Sequence, residues 1–153
     1  MTMKNKILAK FPNQNFSSCN AAKIYIADYT NQTENIRGIE WSDIVQSDIN
    51  SFIVDNFALL DITFCAFKEN TIKLKVEEKE LSHCEGILFP TNNSDKTWIT
   101  FIELKYPQKR DNLGSNLKEA REQLLFTLDL FREQGIIEKK TFGLSDFFCT
   151  KIF

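Results

Sequence analysis

The sequence is poor in the residues that bind zinc. It has one histidine, His83, and four cysteines with no C-x-x-C spacing among them. Structural zinc sites need four such ligands, usually with two of them closely spaced. We therefore predict no zinc site, and we expect reduced, unpaired thiols of the kind found in the cytoplasm. The cysteines are Cys19, Cys65, Cys84 and Cys149.

Long apolar segments and an excess of one charge are also missing. No apolar run is long enough to cross a membrane, and residues 1–20 lack the apolar core of a signal peptide. These absences predict a cytoplasmic protein that does not associate with membranes. Because the net charge is −2, any contact with nucleic acid would depend on a local basic patch.

The composition is that of one globular domain. A chain of 153 residues, 42% hydrophobic and 26% charged, is long enough for one packed core and too short for two ordinary domains. Fourteen phenylalanines predict a core filled with large rings. We assign residues 1–153 to a single domain, with an N-terminal extension over residues 1–40 and the core over 41–153. The apolar ending FFCTKIF leaves open whether the protein continues.

Two segments have helical periodicity. From Ser42 to Asn56, apolar residues such as Val45, Ile49 and Phe52 recur at near-helical spacing, and Ser42 is a suitable N-cap. A second helix is predicted after Pro107. Its apolar stripe consists of Leu117, Ala120, Leu124, Leu128 and Phe131, with Asn116 and Glu119 as a capping-box variant and Gly135 as the stop.

Strand patterns fill most of the remaining sequence. They combine β-branched and aromatic residues with turn residues at their ends. The predicted strands are 23–29, 58–67, 71–76, 83–89, 97–107 and one within 141–153. With the two helices, this order predicts an α/β (α+β) fold in which helices pack against one sheet.

The strand in 97–107 has an unusual end. After the apolar run TWITFI come Glu103, Leu104 and Lys105, and side chains two apart on a strand share a face. Two other Glu-x-Lys tripeptides lie in charged connections and carry no weight. An exposed ion pair is the simplest interpretation of Glu103 and Lys105 alone. A second acid, Glu85, lies on the preceding predicted strand, and antiparallel pairing of the two strands would bring both carboxylates together.

Converging carboxylates repel one another and therefore need a compensating charge. Mg²⁺, or Mn²⁺ in its place, is typically held by one or two carboxylates with water and substrate phosphate. A lysine beside such a site can stabilise negative charge on phosphorus. Glu85, Glu103 and Lys105 thus have the side chains required to hydrolyse a phosphodiester.

Residues 84–105, CEGILFPTNNSDKTWITFIELK, resemble the motif of the PD-(D/E)xK nuclease superfamily. The resemblance implies a restriction-endonuclease-like αβββαβ core, with a mixed central sheet flanked by helices. It implies that Glu85 and Glu103 bind the metal with the carbonyl of Leu104, and that Lys105 is catalytic. Gln123 would match a glutamine that one branch carries on the following helix. The upstream acid is usually aspartate preceded by proline, and this chain has Glu85 after Cys84.

The resemblance has further implications. The first helix of many members supplies another acid, for which Glu40 and Asp43 are candidates. Such proteins act in defence, repair or mobile-element systems, and many are homodimers. Separately from the resemblance, a basic cluster beside the motif fits contact with the nucleic-acid backbone, with an ordinary solvated turn as the alternative interpretation. The cluster consists of Lys105, Lys109, Arg110, Lys118 and Arg121.

Two other functions remain open from the sequence. The chain could have the nuclease fold without turnover, and bind nucleic acid or a protein partner. It could also be an α+β interaction domain in which the pairing of Glu103 with Lys105 is incidental. His83 is interpreted as a structural histidine.

Overall fold

The computed structural model describes residues 1–34, 37–68, 72, 74–76, 79–92, 98–106 and 112–138. In chain order its elements are α1 (Met3–Lys10), β1 (Asn15–Cys19), β2 (Lys23–Asp28), β3 (Ile39–Ser42), β4 (Phe52–Asp55), β5 (Ile62–Ala66), β6 (Leu74–Val76), β7 (Lys79–Leu81), β8 (Gly86–Pro90), β9 (Thr100–Ile102) and α2 (Leu113–Glu133).

The main sheet has four strands in the order β1-β5-β8-β9, and each neighbouring pair is antiparallel. A second sheet, β3-β2-β4, is also antiparallel, and β6 pairs with β7 in a separate hairpin. Every pairing between described strands is therefore antiparallel. The described part of the chain is α+β, as the sequence predicts, but its sheets are not mixed.

The main sheet separates two apolar cores. On one face, Ile87 and Phe89 of β8 pack with Ile7 of α1 and with Leu128 and Phe131 of α2. On the other face, Leu88 joins a cluster that includes Ile24, Ile26, Phe64 and Ile102. Successive side chains of a strand point to opposite faces. Because β8 is buried on both faces, its sequence is a continuous apolar run and does not alternate.

The helix predicted from Ser42 to Asn56 is wrong. Ser42 is instead the last residue of β3, and Phe52–Asp55 form β4. In β4 the burial alternates with period two, since Phe52 and Val54 are half-buried while Ile53 and Asp55 are exposed. The near-helical spacing did not mark a buried face, because Ile44 and Val45 are 68% and 65% exposed. Valine and isoleucine are abundant in this segment and favour strands.

The other predictions of secondary structure are mostly confirmed. β2, β5, β6 and β9 each lie within a predicted strand, β8 extends one residue beyond its predicted strand to Pro90, and α2 buries Ala120, Leu128 and Phe131 of the predicted stripe. Gly135 follows the helix with φ of 68°, as a C-terminal glycine should. The helix starts at Leu113, before Asn116, so the predicted capping box does not form. The strand predicted within 141–153 lies outside the described residues.

Residues 1–40, which the sequence analysis treated as an extension with one strand at 23–29, contain α1, β1, β2 and the start of β3. Among the described strands β1 pairs only with β5, and therefore lies at an edge of the main sheet there. Ile7 of α1 is fully buried in the helix-side core. No described helix combines the length and the apolar character that crossing a membrane requires.

Candidate functional site

Glu85 and Glu103 lie opposite each other at the end of the main sheet. Glu85 immediately precedes β8, and Glu103 immediately follows β9. The register pairs Gly86 with Ile102, so the next residues outward are the two glutamates. The Glu85 N–H also donates to the carbonyl of Ile102, at 3.0 Å. This bond holds the backbone of Glu85 against the end of β9, beyond the last registered pair.

The two carboxylates are tied to each other's backbone. The Glu85 N–H donates to Oε2 of Glu103 at 3.1 Å, and the Leu104 N–H donates to Oε2 of Glu85 at 2.9 Å. Glu103 is only 4% exposed. The two side chains therefore converge as the sequence predicts, and each is held by hydrogen bonds that fix its orientation. We call Glu85 and Glu103 the acid pair.

Lys105 lies next to the acid pair. Its Nζ is 2.9 Å from Oε1 of Glu103 and 3.5 Å from Oε1 of Glu119, a residue of α2. The Lys105 side chain is 21% exposed, so water reaches it from one side. Leu104, between the two charged residues, points into the core between the sheets. The alternation expected of Glu103, Leu104 and Lys105 is confirmed.

Burial disfavours the ionised form of both members of the acid pair. Burial, with a further contribution from the negative charge of Glu103, raises the pKa of Glu85 to about 8. Burial also raises the pKa of Glu103, although the hydrogen bond from Lys105 opposes this. For Lys105, burial lowers the pKa, but the hydrogen bond and charge of Glu103 outweigh it and the net shift is upward. At neutral pH the acid pair therefore retains a proton unless another cation replaces it.

A third acid, Asp28, was missed by the sequence analysis. It ends β2, is 4% exposed, and adds negative potential that raises the pKa of Glu85. Its carboxylate accepts hydrogen bonds from the backbone N–H groups of Thr30 and Asn31 and from the Asn31 amide. Its position near the acid pair results from the packing of the second sheet on the first, which no local sequence pattern reveals.

Glu119 was misassigned. As a predicted capping-box residue it would have contacted the start of α2, but instead it contacts Lys105. Gln123, one turn further along α2, donates to Oγ of Ser82 at 2.7 Å, and its own Oε1 is buried without a described partner. No contact joins Gln123 to the acid pair among the described residues.

The remaining candidate residues are distributed as follows. Lys118 and Arg121 are exposed on α2, whereas Lys109 and Arg110 lie outside the described residues. Glu40 forms an ion pair with Arg37, and Asp43 is exposed beyond β3.

Glu40 and Arg37 line a cleft of about 430 Å³ that also involves β1 and β5. None of Glu85, Glu103 and Lys105 lines this cleft. His83 packs edge-on against Phe67 and contacts the carbonyl of Cys84, in keeping with a structural role.

The chemistry of the acid pair suits a hard divalent cation. Among the described residues, no cluster of three or more His, Cys, Asp or Glu side chains could hold a metal ion. Two carboxylates are nonetheless the usual protein contribution to a Mg²⁺ site, where water and substrate complete the shell. A cation there would offset the repulsion within the pair. The donor set of Glu85 and Glu103 therefore fits Mg²⁺ or Mn²⁺.

Two buried thiols, Cys65 and Cys84, lie close to the segment that carries Glu85. Burial raises the pKa of Cys65 to about 12 and that of Cys84 in the same direction, so both remain protonated. The Cys84 N–H donates to Oγ1 of Thr127 on α2 at 2.8 Å. This bond joins the segment that carries Glu85 to α2, which carries Glu119.

Gly86 should be required for the position of Glu85. A Cβ at Gly86 would lie 2.9 Å from the backbone oxygen of Cys65, which cannot move aside. We expect Gly86→Ala to lower the free energy of unfolding by about 1–3 kcal/mol, as overpacking does. Chemical denaturation measures this effect.

Gly114→Ala is the matched control for Gly86→Ala, because no atom lies within 4 Å of a Cβ there and Gly114 belongs to α2. It should be neutral or stabilising. Equal stability of the Gly86→Ala variant and the wild-type protein would contradict the packing argument.

Comparison with models of protein families, with curated proteins and with solved structures finds no match to this chain. The geometry of the site must therefore support any functional assignment by itself.

Proposed function

We propose that the protein is a metal-dependent nuclease of the PD-(D/E)xK type, which hydrolyses phosphodiester bonds in nucleic acid. One observation carries the proposal. The buried Glu103 and the partly buried Glu85 converge at a strand end, each accepts a backbone hydrogen bond from the other's strand, and a lysine lies 2.9 Å from Glu103. Strongly perturbed ionisable groups held in one place are typical of functional sites.

A structural role explains the acid pair poorly. Burying an acidic group costs free energy unless it is fully paired, and Lys105 forms an ion pair with Glu103 and not with Glu85. An apolar pair would pack at the end of β8 and β9 without this cost. A cation bound between Glu85 and Glu103 would offset this cost, and would explain why two acidic side chains occupy this position.

Each residue would have a distinct role. Glu85 and Glu103 would hold the cation, with the carbonyl of Leu104 as a further donor. A bound divalent cation would supply activation of a water molecule and neutralisation of charge at phosphorus. Lys105 would stabilise the negative charge that develops on the phosphate. Lys118 and Arg121, which are exposed on α2, would contact the nucleic-acid backbone with Lys109 and Arg110.

A second candidate function is nucleic-acid or protein binding without turnover. It is favoured by the closed state of the site, since Glu103 is 4% exposed and Lys105 is already engaged by two carboxylates. The Glu85 side chain is also one methylene longer than the aspartate usual in the resembled motif, which would displace a bound cation.

A cleavage assay tests the proposal. Plasmid and single-stranded substrates are incubated with the protein in Mg²⁺ or Mn²⁺, and in chelator. We expect metal-dependent cleavage by the wild-type protein and none by Glu103→Gln, because glutamine keeps the shape of Glu103 and removes its charge. Glu133→Gln is the matched control, since Glu133 is exposed at the far end of α2.

Three outcomes separate the candidate functions. Cleavage that persists in both Glu103→Gln and Lys105→Ala would come from a contaminant and would contradict the proposal. Absence of cleavage, together with calorimetric Mn²⁺ binding that requires Glu85 and Glu103, would favour the second function. If the protein neither cleaves nucleic acid nor binds Mn²⁺, the remaining interpretation is an α+β interaction domain.

A further inference from the structure

Lys105 has two carboxylate partners on different elements. Glu103 follows β9 and its side chain is 2% exposed, whereas Glu119 lies on α2 and its side chain is 61% exposed. The ammonium lies between them, at 2.9 Å from the buried partner and 3.5 Å from the exposed one. Lys105 therefore links a buried carboxylate of the site to a carboxylate that faces solvent.

Both oxygens of Glu103 are engaged in this arrangement. Oε2 accepts the Glu85 N–H, and Oε1 is paired with Lys105. A divalent cation on Glu103 would face the Lys105 ammonium at close range, and like charges that close repel strongly in a partly buried site. Glu103 can thus turn Oε1 to a cation only if Lys105 has another acceptor.

We propose that Glu119 is a positioning residue, which accepts the ammonium of Lys105 when Glu103 engages a divalent cation. This inference rests on the proposed function, because it assumes that the acid pair binds metal. Glu119 already lies within ion-pair distance of Lys105, so the transfer requires movement of one lysine side chain and no change in the backbone.

The transfer would serve the chemistry in two ways. It would keep the ammonium beside the site, where a phosphate would bind, and would not release it to solvent. It would also neutralise Glu119, whose exposed carboxylate would otherwise repel the polyanionic backbone. Binding of a cation to the acid pair would then be coupled, through Lys105, to binding of a phosphate beside it.

Calorimetric titration with Mn²⁺, without nucleic acid, tests the inference by a double-mutant cycle. We expect Lys105→Met to bind Mn²⁺ more tightly than wild type, because the competing ammonium is gone. Glu119→Gln should weaken binding about two- to fivefold, the size expected of a partly exposed ion pair. In the Lys105→Met background, Glu119→Gln should have no further effect. Thermal melting verifies that each variant is folded, and Glu133→Gln again serves as the control.

The other outcomes each overturn a defined statement. Equal weakening by Glu119→Gln in both backgrounds would mean that Glu119 attracts the cation directly, and would overturn the inference. No weakening in either background would reduce Glu119 to a surface ion pair and would also overturn it. If the wild-type protein binds no Mn²⁺, the proposed function fails together with the inference, and this result is distinguishable from the first two.

Discussion

Phe131→Ala is expected to lower the free energy of unfolding by about 3–5 kcal/mol. The Phe131 side chain is fully buried, and its ring contacts Phe11, Phe67 and Phe101, with centroids 6.0, 6.0 and 5.4 Å away. These rings come from the end of α1, the end of β5 and β9. Truncation would leave a cavity at the point where α1, α2 and the main sheet meet, and such a cavity cannot collapse without moving all three.

Phe57→Ala is the matched control for this prediction, because the same ring is removed at a position that is 81% exposed. Its effect should stay within about 0.5 kcal/mol. Guanidinium denaturation of both variants and the wild-type protein measures the difference. Similar losses for the two variants would mean that the core between α2 and the main sheet contributes less than its packing implies.

The sequence was informative where one local pattern determined the structure. β8 is buried on both faces and has the apolar run GILF, and α2 has a stripe that includes Leu128 and Phe131. The convergence of Glu85 and Glu103 was predicted for the same reason, since antiparallel pairing of β8 with β9 follows from their short separation in the chain. Predicting that Glu85 and Glu103 converge required only the pairing of these two strands.

The sequence was misleading where burial depends on distant parts of the chain. In residues 42–56, apolar residues at helical spacing suggested a buried face, yet Ile44, Val45 and Ile53 are exposed. β1 has the mostly polar sequence NFSSC and gave no strand signal, because it is an edge strand that requires only one partner. Its position is set by pairing with β5, far along the chain.

The surroundings of the acid pair were hidden for a related reason. Asp28 approaches Glu85 because the second sheet packs on the first, and Glu119 approaches Lys105 because α2 packs on the other face. Both interactions depend on tertiary packing and leave no periodic pattern in the sequence. The site thus lies where the second sheet, the main sheet and α2 meet. The packing of these three layers determines which charged side chains surround the acid pair.

Glu85→Gln should make the metal-free protein more stable at alkaline pH while removing the proposed cation site. The pKa of Glu85 is about 8 in the folded protein, against an ordinary value of 4.5. Between these values the folded state keeps a proton that the unfolded state has lost. The free energy of unfolding therefore falls as pH rises from about 4.5 through 8, and then levels. Glutamine stays neutral throughout and can still accept the hydrogen bond from Leu104.

The expected difference between Glu85→Gln and wild type is small near pH 4.5 and grows to the order of 5 kcal/mol above pH 8. Chemical denaturation in chelator from pH 4.5 to 9 measures it, and parallel stability curves for the two proteins would contradict the burial argument. Saturating Mg²⁺ should then narrow this difference, because a cation that binds only the folded wild-type protein stabilises it by mass action. A Mg²⁺ effect of equal size on both proteins would place the cation elsewhere. If Glu85→Gln both stabilises the metal-free protein and abolishes the response to Mg²⁺, Glu85 lowers the stability of the fold and serves to bind the cation.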